Sequence, residues 1–294
     1  MACTRARIPS PVEGDQSRAI AFIVGCGRSG TTLLSRLLQF HPDAAVLIEP
    51  YERWAAVDPR TDVTHLFWQG EAQCFLEYED CTDEMRARFA RLFRPPARPG
   101  GWLIEKSPIN AMRLRYLDAL APEAKFIHII RDGDEVSRSI VEHAQSDPNY
   151  HIAGRHDCNL WWGCGDSKWK SLLAGAKARN FLPATVGESV DDRTRGVCEW
   201  ISSLEAADQA RDALQGRFHE VRYEELTDNP AVVLEHIARF LGIEPGAAWL
   251  QKARQLTRPA RVTSTPMTLP AELVAPFNLW QTRLGYSRLS PVPH

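Results

Sequence analysis

Ala19-Ile-Ala-Phe-Ile-Val24 runs into Gly25-Cys-Gly-Arg28-Ser-Gly30 and then into Thr31-Thr-Leu-Leu-Ser-Arg-Leu-Leu-Gln-Phe40. The first six residues are apolar at every position, as in a central parallel strand that is covered on both faces. The glycine-rich turn breaks the strand. Beyond it, Leu33, Leu34, Leu37 and Leu38 recur at helical spacing until His41-Pro42 stops the helix. A strand that gives way to a helix through such a turn aims free backbone N–H groups and a positive dipole end at an anion, and Arg28 adds a full charge. The frame is G-x-x-x-x-G followed by two threonines. It is the nucleotide P-loop frame except that Thr31 stands where a lysine would reach the β- and γ-phosphates, which argues against ordinary ATP or GTP hydrolysis.

Outward from this unit, strand-like runs at Val46 to Glu49, Trp102 to Glu105 and Lys125 to Ile130 alternate with helical patterns around residues 71–94 and 110–120. A helix over Asp132 to Gln145, a strand over Phe218 to Tyr223 and a helix from Pro230 to Leu241 extend the alternation. The pattern predicts an α/β fold with a central parallel sheet flanked by helices, three layers in all. Residues 1–18 read as a flexible lead, and residues 19–294 as one domain with an irregular insertion at about 146–190. That insertion carries Trp161, Trp162 and Trp169, for which acceptor contact and core anchoring are both open. Residues 257–270 look irregular, ahead of a last apolar piece near Leu279 and Tyr286.

The composition is 294 residues, 44% apolar and 24% charged, which excludes collagenous, coiled-coil and disordered classes. A net charge of −2 supplies no global basic field for nucleic acid or anionic lipid. The seven cysteines, Cys3, Cys26, Cys74, Cys81, Cys158, Cys164 and Cys198, contain no C-x-x-C pair and are expected as free thiols, mostly buried, in a reducing compartment. No signal-peptide core is read in the first 18 residues, and Ala19 to Val24 is too short to cross a bilayer; a soluble, cytoplasmic protein without a transmembrane anchor is expected. Nine histidines form no H-x-x-x-H or H-E-x-x-H pair, so no metal site is expected.

A second pattern lies downstream. The apolar strand Lys125-Phe-Ile-His-Ile-Ile130 ends in Arg131-Asp132-Gly133, and Ser139 follows Arg131 by eight residues, from where strand tip and helix can converge on one ligand. Together the two segments resemble the sulfotransferases that use 3′-phosphoadenosine 5′-phosphosulfate (PAPS), notably the bacterial and tyrosylprotein branches. Gly27-Arg28-Ser29-Gly30-Thr31-Thr32 is similar to the family's 5′-phosphosulfate loop, and Arg131 with Ser139 to its 3′-phosphate motif. Glu105-Lys106-Ser107-Pro108 and Val221-Arg-Tyr223-Glu-Glu-Leu226 also look like family blocks, so the resemblance covers roughly residues 20–140 and 195–245. Asp134 is a departure, since a basic residue is common there.

The resemblance implies a P-loop-NTPase-like fold and transfer of the sulfuryl group of PAPS to a hydroxyl of a carbohydrate, lipid-linked, phenolic or peptide acceptor, releasing adenosine 3′,5′-bisphosphate (PAP). It implies Glu49 as base, with Glu52 as rival, and Lys106 and Arg28 as the charges that neutralise the leaving phosphate. Gly27, Arg28, Ser29, Gly30, Thr31, Thr32, Arg131, Ser139 and Tyr223 would hold the cofactor. Arg258, Arg261, Thr263 and Ser264 would form a C-terminal phosphate loop. His128, inside an apolar strand, reads as a core residue. The competing readings are a P-loop small-molecule kinase, which would need Mg²⁺ and an acidic ligand such as Asp132, and a nucleotide-binding protein without turnover.

Overall fold

The computed structural model describes residues 19–97, 100–146, 151–152, 155–259 and 267–289. In chain order the elements are β1 (Ile20–Val24), α1 (Thr31–Gln39), β2 (Ala44–Ile48), α2 (Tyr51–Val57), α3 (Asp83–Leu92), β3 (Trp102–Lys106), α4 (Leu114–Leu120), β4 (Lys125–Ile130), α5 (Gly133–Ser146), β5 (His151–Ile152), β6 (Arg155–Asn159), β7 (Gly163–Cys164), α6 (Ser167–Ala178), α7 (Asp192–Arg211), β8 (Phe218–Arg222), α8 (Tyr223–Asp228), α9 (Pro230–Leu241), α10 (Ala247–Leu256) and α11 (Ala271–Arg283). Short 3₁₀ turns at Pro59–Thr61, Tyr78–Asp80 and Pro108–Met112 link some of them.

Five strands form the central sheet in the order β2-β3-β1-β4-β8, and every neighbouring pair is parallel. The all-apolar reading of β1 has a direct counterpart in the packing. Ala21 and Ile23 face a core built with Leu34, Leu37 and Leu38 of α1 and Leu234, Ile237 and Leu241 of α9. Ile20, Phe22 and Val24 face a second core with Trp54, Phe89, Tyr116 and Leu117 from α2, α3 and α4. All five β1 residues are buried, as a sheet covered by helices on both faces requires. A third core gathers α5, α6, α7 and α11.

The sequence reading fails at several places. Residues 71–94 are not one helix. Gln73 N–H donates to the Arg60 carbonyl (2.8 Å), Arg113 donates to the Gln73 carbonyl (2.6 Å), and Cys74 N–H donates to Ser171 Oγ (2.9 Å). Backbone groups held by distant segments cannot also make a helical ladder, so α3 starts only at Asp83, where Thr82 Oγ1 accepts from Met85 N–H. Residues 110–120 split into the 3₁₀ turn at Pro108–Met112 and α4. The expected irregular insertion holds a three-stranded antiparallel sheet, β5-β6-β7, followed by α6. The expectation of free thiols is overturned at Cys164. Cys26, Cys74, Cys81 and Cys198 are free, but Cys164 is disulfide-bonded, and the β6–β7 register sets Cys158 opposite it. The sequence spacing gives no sign of the β6–β7 register that sets these two positions across from each other. Among the described residues, no helix is long and apolar enough to cross a membrane.

Candidate active site

The parallel strands end along one sheet edge, and the loops beyond β1, β2, β3 and β4 meet there. The β1–α1 turn is shaped by its glycines. Gly30 has φ +99°, and a Cβ built on it would lie 2.3 Å from Tyr223 Cδ2; one on Gly27 would lie 2.8 Å from Trp161 Cη2. Only a residue without a side chain fits either position. Ser29 N–H donates to the Cys26 carbonyl (3.1 Å), which closes the turn, and Gly30 begins α1 without a side-chain cap. No acidic residue stands in the first turn of α1. The first-turn amides of Thr31, Thr32 and Leu33 thus have no intrahelical partner and form the positive end of the helix dipole.

The two sequence motifs meet. Arg28 Nε donates to Ser139 Oγ at 3.0 Å, and Arg131 Nη1 donates to the Arg28 carbonyl at 3.0 Å. Arg131 also pairs with Glu135 (3.4 Å), and its guanidinium lies 4.3 Å over the Tyr223 ring. Tyr223 thus supports Arg131 and closes against Gly30. Arg28, Thr31, Thr32, Arg36, Arg131 and His143 line a cleft of about 420 Å³, and none of the described residues lining it is acidic.

On the other side of Arg28 lies a pocket of about 80 Å³ that shares Thr31 and Thr32 with the cleft and is further lined by Glu49, Tyr51, Trp161, Lys168 and Glu199. Lys106, the last residue of β3, is buried, and its ammonium donates to Thr32 Oγ1 (3.0 Å) and to Glu49 Oε1. Glu49 follows β2, with its N–H on the Lys106 carbonyl (2.7 Å) and its second carboxylate oxygen on the Tyr51 hydroxyl (2.8 Å). Arg28 and Glu49 both hold left-handed backbone angles, φ +69° and +50°. Such angles in residues with a Cβ cost about 1–3 kcal/mol each and concentrate at functional sites. Glu52, the rival base, is exposed on α2 and does not line the pocket.

Beneath this edge, Glu105 is fully buried and accepts hydrogen bonds from Trp54 Nε1 (2.8 Å), Ser107 Oγ (2.5 Å) and Asn110 Nδ2 (3.2 Å). Burial raises its carboxyl to about 7 against the pull of those donors. His128 is buried in β4 with Nδ1 3.3 Å from Glu220, the core residue expected. The tryptophans divide. Trp162 Nε1 donates to Asp192 (2.8 Å) and Trp169 Nε1 to the Glu188 carbonyl (2.8 Å), anchoring the insertion, whereas Trp161 lines the pocket. Arg258 is exposed, and Arg261, Thr263 and Ser264 lie outside the described residues.

Sequence reasoning missed the contributions of α6 and α7. Lys168 donates to both oxygens of Glu199 at 2.9 and 2.8 Å, and Trp200 Nε1 donates to the Arg131 carbonyl at 3.0 Å. No local pattern in the mixed sequence of α7 or in α6 sets these residues apart.

The profile of the Sulfotransferase family matches residues 21–167, half of the chain. Protein-tyrosine sulfotransferase 1 of Danio rerio is 28% identical over 166 residues, 54% of this chain and 45% of that protein. The nodulation protein NoeE of Sinorhizobium fredii is 27% identical over 236 residues, 77% of this chain and 50% of that protein. The chain thus spans about half the length of these curated relatives. The sulfotransferase domain from the curacin biosynthetic pathway has the same fold, with a TM-score of 0.55 at 18% identity over 92% of this chain and 98% of that one. The chain belongs to the sulfotransferase family.

Proposed function

We propose that the protein transfers the sulfuryl group of PAPS to a hydroxyl of an acceptor and releases PAP. The observation that carries this reading is the joining of the β1–α1 turn to the Arg131–Ser139 segment around one acid-free cleft. An uncapped helix start with three arginines suits a ligand with phosphate groups at both ends, and the unpartnered first-turn amides are the donor set such a group needs.

In this reading the turn from Gly27 to Thr32 binds the 5′-phosphosulfate through backbone N–H groups, Ser29 and the threonine hydroxyls. Arg131 and Ser139 hold the 3′-phosphate, with Tyr223 keeping the guanidinium flat. PAPS supplies a sulfuryl group joined to a phosphate through one bridging oxygen. Glu49 takes the proton of the acceptor hydroxyl as its oxygen forms the new bond to sulfur. The bond from sulfur to the bridging oxygen breaks, and its electron pair stays on the phosphate of PAP. Lys106 has three N–H donors, two of them on Thr32 and Glu49, which leaves the third for that bridging oxygen. With Arg28 it neutralises charge where it grows, the task Mg²⁺ performs in kinases, so metal-independent transfer is expected.

Thermal unfolding with PAP, AMP or ATP, each with Mg²⁺ or EDTA, tests the reading, because a ligand that binds only the folded state raises the midpoint. A rise with PAP that exceeds the rise with AMP and ignores Mg²⁺ is expected. A rise with ATP alone that needs Mg²⁺ would replace the reading with the kinase.

A further inference from the structure

The pocket beside Glu49 has a second charged end. Lys168, on α6, is paired with Glu199, on α7, through both carboxylate oxygens, and their side chains are 10% and 2% exposed. The ammonium sits 4.8 Å over the Trp161 ring. Trp161 in turn lies against Gly27 of the phosphate turn, so one aromatic wall connects the Lys168–Glu199 pair to the reacting end of the pocket. Glu199 Oε1 would lie 3.5 Å from a Cβ built on Gly27, so the pair sits next to the phosphate turn.

A buried ion pair adds little net stability compared with apolar side chains of the same volume. The neighbouring α6 and α7 positions Leu172, Leu173, Val197 and Ile201 pack as ordinary core, so the interface has no need of charge for packing. Lys168 and Glu199 instead line the same cavity as Glu49. An acceptor that carries a single hydroxyl on an apolar ring would satisfy Glu49 and press carbon against the other pair, stripping it of water without replacement. A ring with an apolar face and several hydroxyls would lie along Trp161, donate one hydroxyl to Glu49 and exchange hydrogen bonds through another with Glu199 and Lys168.

We propose that Lys168, Glu199 and Trp161 form an acceptor subsite for a polyhydroxylated ring of the pyranose class, reading a second hydroxyl beside the one that is sulfated. The inference rests on the sulfuryl-transfer reading given above. It adds no new bond change: the subsite orients the acceptor, and the proton and the sulfur move as already described.

The test measures transfer from ³⁵S-labelled PAPS to methyl glycosides of the common hexopyranoses and their monodeoxy analogues, with p-cresol and 2-naphthol as single-hydroxyl acceptors. The full chain and its Glu199→Gln variant are compared, and the PAP dissociation constant is taken on the same preparations. Transfer to pyranosides is expected, with kcat/KM lowered roughly 10–100-fold in Glu199→Gln and PAP affinity unchanged. On the analogue that lacks the second hydroxyl, wild type and variant should perform alike, an equality that a merely structural role would not produce. Should the single variant fail to fold, Lys168→Met combined with Glu199→Gln removes the charge from both partners and carries the same expectation. Equal losses on parent and deoxy acceptors, or transfer to the phenols only or to neither panel, would overturn the subsite. Failure of PAP to bind would instead refute the cofactor reading on which the subsite rests.

Discussion

Replacing Arg131 by Met separates recognition of the 3′-phosphate from support of the phosphate turn. The methionine keeps a long side chain against the Tyr223 ring but loses the hydrogen bond to the Arg28 carbonyl (3.0 Å), the Glu135 pair (3.4 Å) and the donors aimed into the cleft. Loosening of the turn weakens any ligand with a 5′-phosphate, PAP and AMP alike. Loss of charged hydrogen bonds to the 3′-phosphate weakens PAP alone, by about 1.5–3 kcal/mol, or roughly 10–100-fold in Kd. Glu135 already engages Arg131 and must share it with the ligand, which places the expectation at the lower end, about tenfold. Isothermal titration of wild type and Arg131→Met with PAP and with AMP gives four dissociation constants, and the change in the PAP-to-AMP ratio isolates the 3′-phosphate. A ratio that stays within about twofold of wild type would refute the assignment of Arg131, however large the loss of affinity for both ligands.

Other substitutions probe neighbouring parts of the site. Glu49→Gln should lower kcat by roughly 10²–10⁴-fold, the range for a lost general base, while the PAP Kd measured by titration stays within about twofold. Gly30→Ala should lower the melting temperature by several degrees and weaken PAP binding, since φ +99° and a Tyr223 carbon 2.3 Å from the new Cβ both oppose it; a scan showing no change would contradict the cradle geometry. Glu105 supplies a pH test. Its carboxyl is raised to about 7 in the fold from 4.5, so the folded protein holds the proton more tightly, and the stability this gives is complete below pH 4.5 and lost as pH rises through 7. The full effect is of the order of 3 kcal/mol. Urea unfolding between pH 5 and 8 should therefore show Glu105→Gln gaining on wild type as pH rises, with the Asn110 carbonyl oxygen, which has no hydrogen-bond partner among the described residues, free to accept from the new amide after a flip.

Local sequence carried the parts of the site that one segment builds alone. The β1 run alternates between two cores and ends in glycines whose missing side chains are required by Tyr223 and Trp161, so the strand, the turn and α1 were readable together. The eight-residue interval from Arg131 to Ser139 was readable for the same reason, although that Arg28 would bridge them was not. Residues 71–77 carried a helical pattern, but Arg60, Arg113 and Ser171 claim their backbone groups. The helix α7 hid for the opposite reason. Thr194, Gly196, Val197, Cys198, Glu199, Trp200 and Ile201 are all buried, so no polar face marks the period. Lys168, Glu199 and Trp200 reach the site from this helix and from the insertion, where only the three-dimensional packing relates them to Gly27 and Arg131. Glu49 was legible as a carboxylate at a strand end, while its left-handed backbone and its contact with Lys106 arise from the β2–β3 pairing.

The most direct measurement is formation of PAP from PAPS in EDTA, followed chromatographically with pyranoside and phenol acceptors present, for wild type and Glu49→Gln. The account predicts acceptor-dependent PAP formation by the wild-type protein that matches the sulfated product mole for mole and falls at least 100-fold in the variant. Absence of PAP formation with every acceptor, alongside Mg²⁺-dependent consumption of ATP, would contradict it.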